Sequence, residues 1–309
     1  MVSRRDFMKI SGSVAGTAAA SLAGVQTACA SGHHLEPDRI GVLTDYTECI
    51  GCRRCEWACA QENGLPFGDL ESCDDQSVFQ EMRRPDERQY TVVNRYPAPE
   101  GSDKPLDVKV NCMHCEHPTC VSACIVGALK KDPMGPVTYD ASACIGCRYC
   151  MVACPFQIPA YEYHDPLTPK VLKCTLCTER TLEENKMPAC VEMCPKEALT
   201  FGRREDLLDL ARDRIRRNPD RYLPHIFGEY DGGGTSWLMI ADRDFTEVDL
   251  PELSDRSAAE ITEGIQHGIF RGFTGPLMVF GLVSILGKSM GDQEGRLDQE
   301  GQRKEGDNE

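Results

Sequence analysis

Apolar and polar positions change rhythm several times along the chain. From Ser11 to Ala30 the residues are small or apolar and none is charged, while the preceding SRRDFMK is basic. Between 60 and 111 two extended stretches, RQYTVVNRY and LDVKVN, are separated by APEGSDKP, which predicts a small β excursion that leaves the core to meet a partner. At 203–217, RREDLLDLARDRIRR puts Leu207, Leu210 and Ile215 at helical spacing among charges, so an amphipathic helix is expected to end before Pro219. DGGGTSWLMIAD then reads as a turn followed by a short strand, because no Lys-Ser/Thr follows the glycines to make them a phosphate cradle. Near the end, FTGPLMVFGLVSILG is apolar without interruption, and Ile269 and Phe270 extend it across Arg271. Segment 268–287 is therefore expected to be a membrane anchor, at the short edge of the roughly twenty residues that a spanning helix needs. Residues 288–309 are almost wholly polar and are expected to be disordered.

The basic start, the uncharged middle and Ala28-Cys29-Ala30 together make 1–30 an export signal, with cleavage after Ala30. Adjacent Arg4 and Arg5 give it the look of a twin-arginine signal, whose route carries proteins already folded. That suits a protein that assembles a metal cofactor before export. The chain has 309 residues and a net charge of -15, which repels phosphate and argues against nucleic acid as a partner.

What changes the picture most is the cysteine content, 18 in all. Sixteen fall into four groups of four: Cys49, Cys52, Cys55 and Cys59; Cys112, Cys115, Cys120 and Cys124; Cys144, Cys147, Cys150 and Cys154; and Cys174, Cys177, Cys190 and Cys194. Groups one and three share the frame C-I-G-C-R-x-C-x-x-A-C. CVSACIVGAL at 120–129 echoes CVEMCPKEAL at 190–199. The chain thus reads as a duplicated unit, one compact and one looser group per copy, with a pseudo-symmetric core.

Three chemistries compete for these thiols. Disulfides suit an exported protein, but C-x2-C-x2-C crowds three thiols into seven residues, too tight for independent bridges. Zinc takes paired C-x2-C knuckles, which group four could half supply and groups one and three cannot. Iron-sulfur cubes want three thiolates from one short loop and a fourth from elsewhere, the run C-x2-C-x2-C-x3-C-P of two-cluster ferredoxins. Group three matches that run through Pro155, and the four groups predict four [4Fe-4S] clusters in two ferredoxin-like pairs. Ala60 and Ile125 replace the proline after groups one and two, which alters a turn and removes no ligand.

Arg53, Arg54, Arg148, Lys170 and Lys173 lie beside these cysteines, where positive charge would favour a reduced, more anionic cluster. His114 and His117 are supporting residues rather than ligands, since group two already has four thiols; Cys73 has no partner group and is structural. No c-type haem motif, nucleotide loop or nucleophile elbow occurs, so the chain offers wiring and no reaction site.

Taken together, SRRDFMK, the four cysteine groups, GCRYCMVACPF at 146–156, ALKKDP at 128–133, PHIFGEYDGGGT at 224–235, VDLPEL at 248–253 and the apolar C-terminal stretch carry a resemblance. The chain resembles the HybA-type iron-sulfur subunits of periplasmic, membrane-bound nickel-iron hydrogenases. These stand within the wider family that serves formate dehydrogenases and sulfoxide or polysulfide reductases. The implied fold is α+β: a duplicated bacterial-type two-[4Fe-4S] ferredoxin core over 40–202 with the 60–111 insertion, a C-terminal extension over 203–262, and a single transmembrane helix. The resemblance implies a crosswise sharing of ligands: Cys49, Cys52 and Cys55 with Cys194; Cys174, Cys177 and Cys190 with Cys59; Cys112, Cys115 and Cys120 with Cys154; Cys144, Cys147 and Cys150 with Cys124. It also implies a non-catalytic relay at the periplasmic face of the inner membrane, between hydrogenase small and large subunits and a quinone-handling membrane subunit. Alternatives are the same relay for a molybdenum oxidoreductase and, remotely, a structural metal-binding adaptor.

Overall fold

In the computed structural model, residues 35–98, 104–165, 168–260, 262–263, 276 and 278–284 are described. In chain order the elements are β1 (Ile40–Asp45), α1 (Arg54–Glu62), β2 (Thr91–Tyr96), β3 (Leu106–Asn111), α2 (Thr119–Ser122), β4 (Leu129–Lys131), β5 (Val137–Tyr139) and α3 (Tyr149–Ala153). They continue with β6 (Ala160–Tyr161), β7 (Val171–Leu172), α4 (Ala189–Glu192), β8 (Leu199–Arg203), α5 (Arg204–Arg217) and β9 (Trp237–Ile240). Contacts divide the chain into two compact units, Gly32–Ile261 and Met1–Ser31 with Thr262–Glu309.

In the first unit, β1 is the middle strand of a sheet, with β8 antiparallel on one side and β9 parallel on the other. Side chains alternate across this sheet as a two-residue period requires. Val42, Trp237 and Met239 face the cysteine groups, while Leu43, Leu238 and Ile240 face α5. Helix α5 forms where expected, but it buries Leu207, Leu208 and Ala211 and leaves Leu210 and Ile215 only partly covered. The segment from 203 onward is therefore part of the sheet and its backing, in the same unit as the cysteines.

Two halves, each of two strands and two short helices, hold the thiols. In the outer half, β1 leads into group one and α1, group four leads through α4 into β8, and α1 packs on α4. In the inner half, β5 leads into group three and α3, group two leads through α2 into β4, β4 pairs with β5, and α2 packs on α3. The whole inner half sits in the chain between α1 and α4. The echo of 120–129 in 190–199 places Leu129 and Leu199 alike, each the buried first residue of its strand. The two copies are crossed: the compact group of one copy lies with the looser group of the other.

The 60–111 insertion forms the expected hairpin, with Val93 of β2 opposite Lys109 of β3, but it is no outlying excursion. Its strands are nearly all buried, and Val93 donates its backbone N–H to Glu56 of α1 at 2.6 Å. Glu56, itself buried, also meets Arg53 at 3.2 Å and Arg83 at 2.6 Å. A buried carboxylate fully met by donors locks the hairpin onto the cysteine-bearing helix.

In the second unit the described residues 278–284 are helical, with Met278, Phe280, Leu282 and Val283 exposed. Among the described residues no helix is long and apolar enough to cross a membrane. The expected signal over 1–30 and tail over 288–309 lie outside the described residues, as does most of the anchor over 268–287.

Candidate functional site

Each cysteine group begins with the same backbone device. The residue two places after the first cysteine is left-handed in all four: Gly51 (φ 66°), His114 (φ 47°), Gly146 (φ 69°) and Leu176 (φ 56°). This conformation reverses the chain and turns its N–H back toward sulfur. Gly146 donates to Cys144 Sγ at 3.5 Å and Leu176 to Cys174 Sγ at 3.4 Å. In groups one and three the next left-handed residues, Arg53 and Arg148, correspond as well. For a residue with a Cβ this costs about 1–2 kcal/mol, a strain tolerated where the loop must wrap a ligand. The approach is matched too: Asp45 accepts from the backbone and hydroxyl of Thr47, and Asp140 does the same for Ser142. Each of these turns stands just before the first cysteine of its compact group.

From these loops the third cysteine enters a helix: Cys55 in α1, Cys120 in α2, Cys150 in α3 and Cys190 in α4. Packing α1 on α4 puts Cys49, Cys52, Cys55 and Cys194 around one hollow, and Cys59, Cys174, Cys177 and Cys190 around another. In the inner half Cys115 has Cys120, Cys112 and Cys154 as its thiol neighbours, and Cys150 has Cys124, Cys144 and Cys147. These are four sets, each of three thiols from one group and one from another. They also form a row. Cys190 of the second set is within electrostatic reach of Cys55, Cys112 of the third within reach of Cys174, and Cys150 of the fourth within reach of Cys120.

The electrostatics of this row suits a multivalent iron centre. Burial first, opposed by the Gly51 amide and helped by Asp107, Cys194 and Cys52, pushes the Cys49 thiol up to about 12. Burial, then Cys124, Cys144 and Cys147, pushes Cys150 up to about 11. Burial raises Cys174 to about 12 despite Lys109, with Cys112, Cys190 and Cys177 adding to it. Thiols that resist ionisation because of burial first, and of one another second, are sites where bound cations release protons and stabilise the fold. Among the described residues no three Cys, His, Asp or Glu side chains close on one point to hold a single ion. Sets of four thiolates around a hollow, with amides aimed at sulfur, fit a [4Fe-4S] cube, which keeps its four thiolates apart.

The cations named from sequence are placed unequally. Arg54, Arg148 and Lys170 are exposed; Arg53 is buried, but its guanidinium is taken up by Glu56 and the carbonyls of Ser72 and Asp75. Lys173 is buried near Cys120 and donates to the carbonyls of Val137 and Cys174. Sequence reasoning missed Lys109 on β3, fully enclosed among Cys190, Cys55, Cys174 and Cys59. Burial pulls its ammonium down, and those thiolates outweigh burial and hold it up. No signal marked it, since LDVKVN alternates as an ordinary half-buried strand would.

His114 is buried and serves structure: its Nδ1 accepts from the Val137 backbone at 2.9 Å, tying β5 to group two. Burial, then Lys173 and Lys131, holds its imidazole well below the usual range, in the neutral form. His117 lies 3.6 Å from Glu260, and its carbonyl accepts from Ser257. Cys73 is buried with its thiol against the Arg53 carbonyl at 3.6 Å, within electrostatic reach of Cys52 but outside the linings of both outer-half hollows.

Residues 108–204 match the family model of the 4Fe-4S dicluster domain. A protein of Nitratidesulfovibrio vulgaris strain Hildenborough is 49% identical over 84% of this chain and 70% of its own length. The hydrogenase-2 operon protein HybA of Escherichia coli O157:H7 is 33% identical over 92% of this chain and 94% of its own. The iron-sulfur subunit of the nitrate-inducible formate dehydrogenase of Escherichia coli K12 is 31% identical over 80% and 82% respectively.

Proposed function

The chain belongs to the family of [4Fe-4S] electron-transfer subunits that includes HybA and the formate dehydrogenase iron-sulfur subunits, and from that premise we propose that it relays single electrons between a periplasmic nickel-iron hydrogenase and an integral membrane subunit that handles quinone. Four [4Fe-4S] clusters would be held by Cys49, Cys52, Cys55 and Cys194; Cys59, Cys174, Cys177 and Cys190; Cys112, Cys115, Cys120 and Cys154; and Cys124, Cys144, Cys147 and Cys150. When bound, the clusters supply one-electron redox chemistry without bond making. The chain's part is to set them in one row, exclude water from the middle of it, and supply cations beside it. Export by the twin-arginine signal over 1–30 and anchoring through 268–287 complete the proposal.

The observation that carries it is the row itself: four thiol sets end to end in one compact unit. A storage or structural metal site needs no such continuity. The set around Cys150 ends the row at the surface, with Cys147 exposed and Ile125, Ile145, Tyr149 and Val152 exposed beside it. That end is where a redox partner would dock.

The test is anaerobic purification with metal analysis and EPR of the reduced protein. About sixteen irons per chain are expected, four cubes of four. A colourless protein with stoichiometric zinc would instead make it a structural adaptor. Nickel in the catalytic subunit that stays bound after gentle detergent extraction supports the hydrogenase; molybdenum there would assign the same relay to a molybdenum oxidoreductase.

A further inference from the structure

Three lysines are buried among the thiols, and they differ in what they face. Lys131 lies 3.7 Å from Glu116 and donates to the carbonyls of His114 and Gly135. Lys173 donates to two backbone carbonyls. Lys109 has Asn111 Oδ1 at 2.7 Å, and no carboxylate of the described residues stands within ion-pair distance of it. Its ammonium sits 4.4 Å from the centroid of the Trp237 ring. That ring is buried and pinned, its indole N–H donating to Thr44 Oγ1 at 2.8 Å. Lys109 also lines both hollows of the outer half, the one ringed by Cys49, Cys52, Cys55 and Cys194 and the one ringed by Cys59, Cys174, Cys177 and Cys190.

An ammonium taken out of water without an opposite charge is strongly disfavoured. A quadrupolar ring and one amide oxygen offset part of that cost; the remainder needs anions, and the anions on either side are ligand sulfurs. We infer that Lys109 is the counter-cation shared by the two [4Fe-4S] clusters of the outer half, and that its fixed charge sets both of their reduction potentials higher than their ligands alone would. The inference rests on the four-cluster reading above. Adding one electron makes a cluster more negative, no bond forms and no proton moves. A cation in a poorly screened interior therefore favours the reduced state. Trp237 and Asn111 are positioning residues in this scheme, because they hold the ammonium between the two sites.

The experiment is an EPR-monitored redox titration of the full chain, purified anaerobically, with iron counted in each variant. Lys109→Met, close in volume and uncharged, should shift two of the four midpoints negative, by about tenfold in the reduction equilibrium or about 59 mV for a one-electron couple. The other two midpoints should stay put. Lys109→Arg should keep all four within threefold of the parent. If Lys109→Met binds full iron and no midpoint moves, or all four move alike, the inference is overturned. If Lys109→Met loses iron while Lys109→Arg retains it with unchanged midpoints, charge is still the requirement and the inference stands; equal loss in both variants makes Lys109 a packing residue and overturns it. A parent protein without iron would instead sink the four-cluster reading.

Discussion

The outer and inner halves of the core use the same local parts and put them in opposite surroundings. Each has a strand ending in an Asp-led turn, a compact C-I-G-C-R loop, a short helix, and a looser cysteine group returning to an antiparallel strand. Around the outer half the chain has added the buried hairpin of β2 and β3, strand β9 and helix α5, so that Trp237, Tyr46 and Val42 are sealed. The inner half has its own strands, the β6 and β7 pair and, on the group-two side, the backbone around Gly234 and Thr235, whereas on its other side Ile125, Ile145 and Val152 are 73%, 61% and 83% exposed. One ligation scheme thus serves two tasks. Coverage makes the outer half dry, where a charge such as Lys109 acts at full strength; bareness leaves the inner half a surface through which electrons can pass to another protein.

The largest expected effect tests whether the halves are the units at all. Cys194→Ala and Cys49→Ala should each remove about four irons, and the double variant should remove no more than either single one, because in the proposed ligation both thiols serve one cube. If Cys194→Ala instead depletes the site of Cys174, Cys177 and Cys190, the crosswise division is wrong. Iron counts and EPR of the double-mutant set decide it.

Next comes the seam between the halves. Glu116, buried beside Cys115, meets Arg39 at 2.6 Å, Lys131 of β4 at 3.7 Å and Arg204 of α5 at 3.9 Å. One carboxylate therefore joins the inner strand pair to the elements that back the outer sheet. Those three cations, Arg39 with Lys131 and Arg204, outweigh burial and hold its carboxyl below the usual range. Glu116→Gln strands cationic charge in the interior and should destabilise the folded chain by about 3 kcal/mol. A chemical-denaturation midpoint unchanged from the parent would show that the halves do not depend on this junction.

A smaller effect comes from one substitution made twice. Gly51 and Gly146 hold the same place in the repeated frame, both with positive φ. A Cβ on Gly51 would come within 2.6 Å of the Asp107 side chain, which is paired with Arg95; on Gly146 it would meet the Tyr161 hydroxyl at 2.8 Å. An ion pair locked to a buried hairpin gives way less readily than a tyrosine on the open side. Gly51→Ala should therefore cost about 2–3 kcal/mol and Gly146→Ala about 1 kcal/mol. Equal costs in parallel thermal melts would mean that the surroundings do not distinguish the halves.

These contrasts also mark what could be read from the chain alone. The cysteine groups, the hairpin at 91–111, helix α5 and the turn before β9 were legible because each depends on residues a few places apart. The crossing of groups was legible only through the family resemblance, since it depends on α1 packing on α4 and α2 on α3, across gaps in which the repeat alone suggests the opposite arrangement. Left-handed His114 and Leu176 carry no compositional mark, unlike Gly51 and Gly146 at the matching places. Asp107, Lys109 and Asn111 alternate with Leu106, Val108 and Val110 as a solvent-facing edge would, and only the fold shows them covered. Local chemistry was written in the spacing, whereas surroundings were not.

The smallest effect on the fold should be the most informative about partners. Val152 is 83% exposed on α3, two residues after Cys150 and five after exposed Cys147. Its methyl groups contribute little to packing, so Val152→Glu should change stability by no more than about 0.5 kcal/mol. A carboxylate there costs nothing to the lone chain, which keeps it in water. Within a docked interface the same carboxylate would be desolvated without a partner beside a redox site, at a cost of about 2 kcal/mol or more in binding. Iron content and midpoints should match the parent, while the rate of electron exchange with the copurified catalytic or membrane subunit falls at least tenfold. An unchanged rate would mean that electrons leave elsewhere, with the end of the row at Cys49 and half-exposed Ile50 the next to probe by the same change.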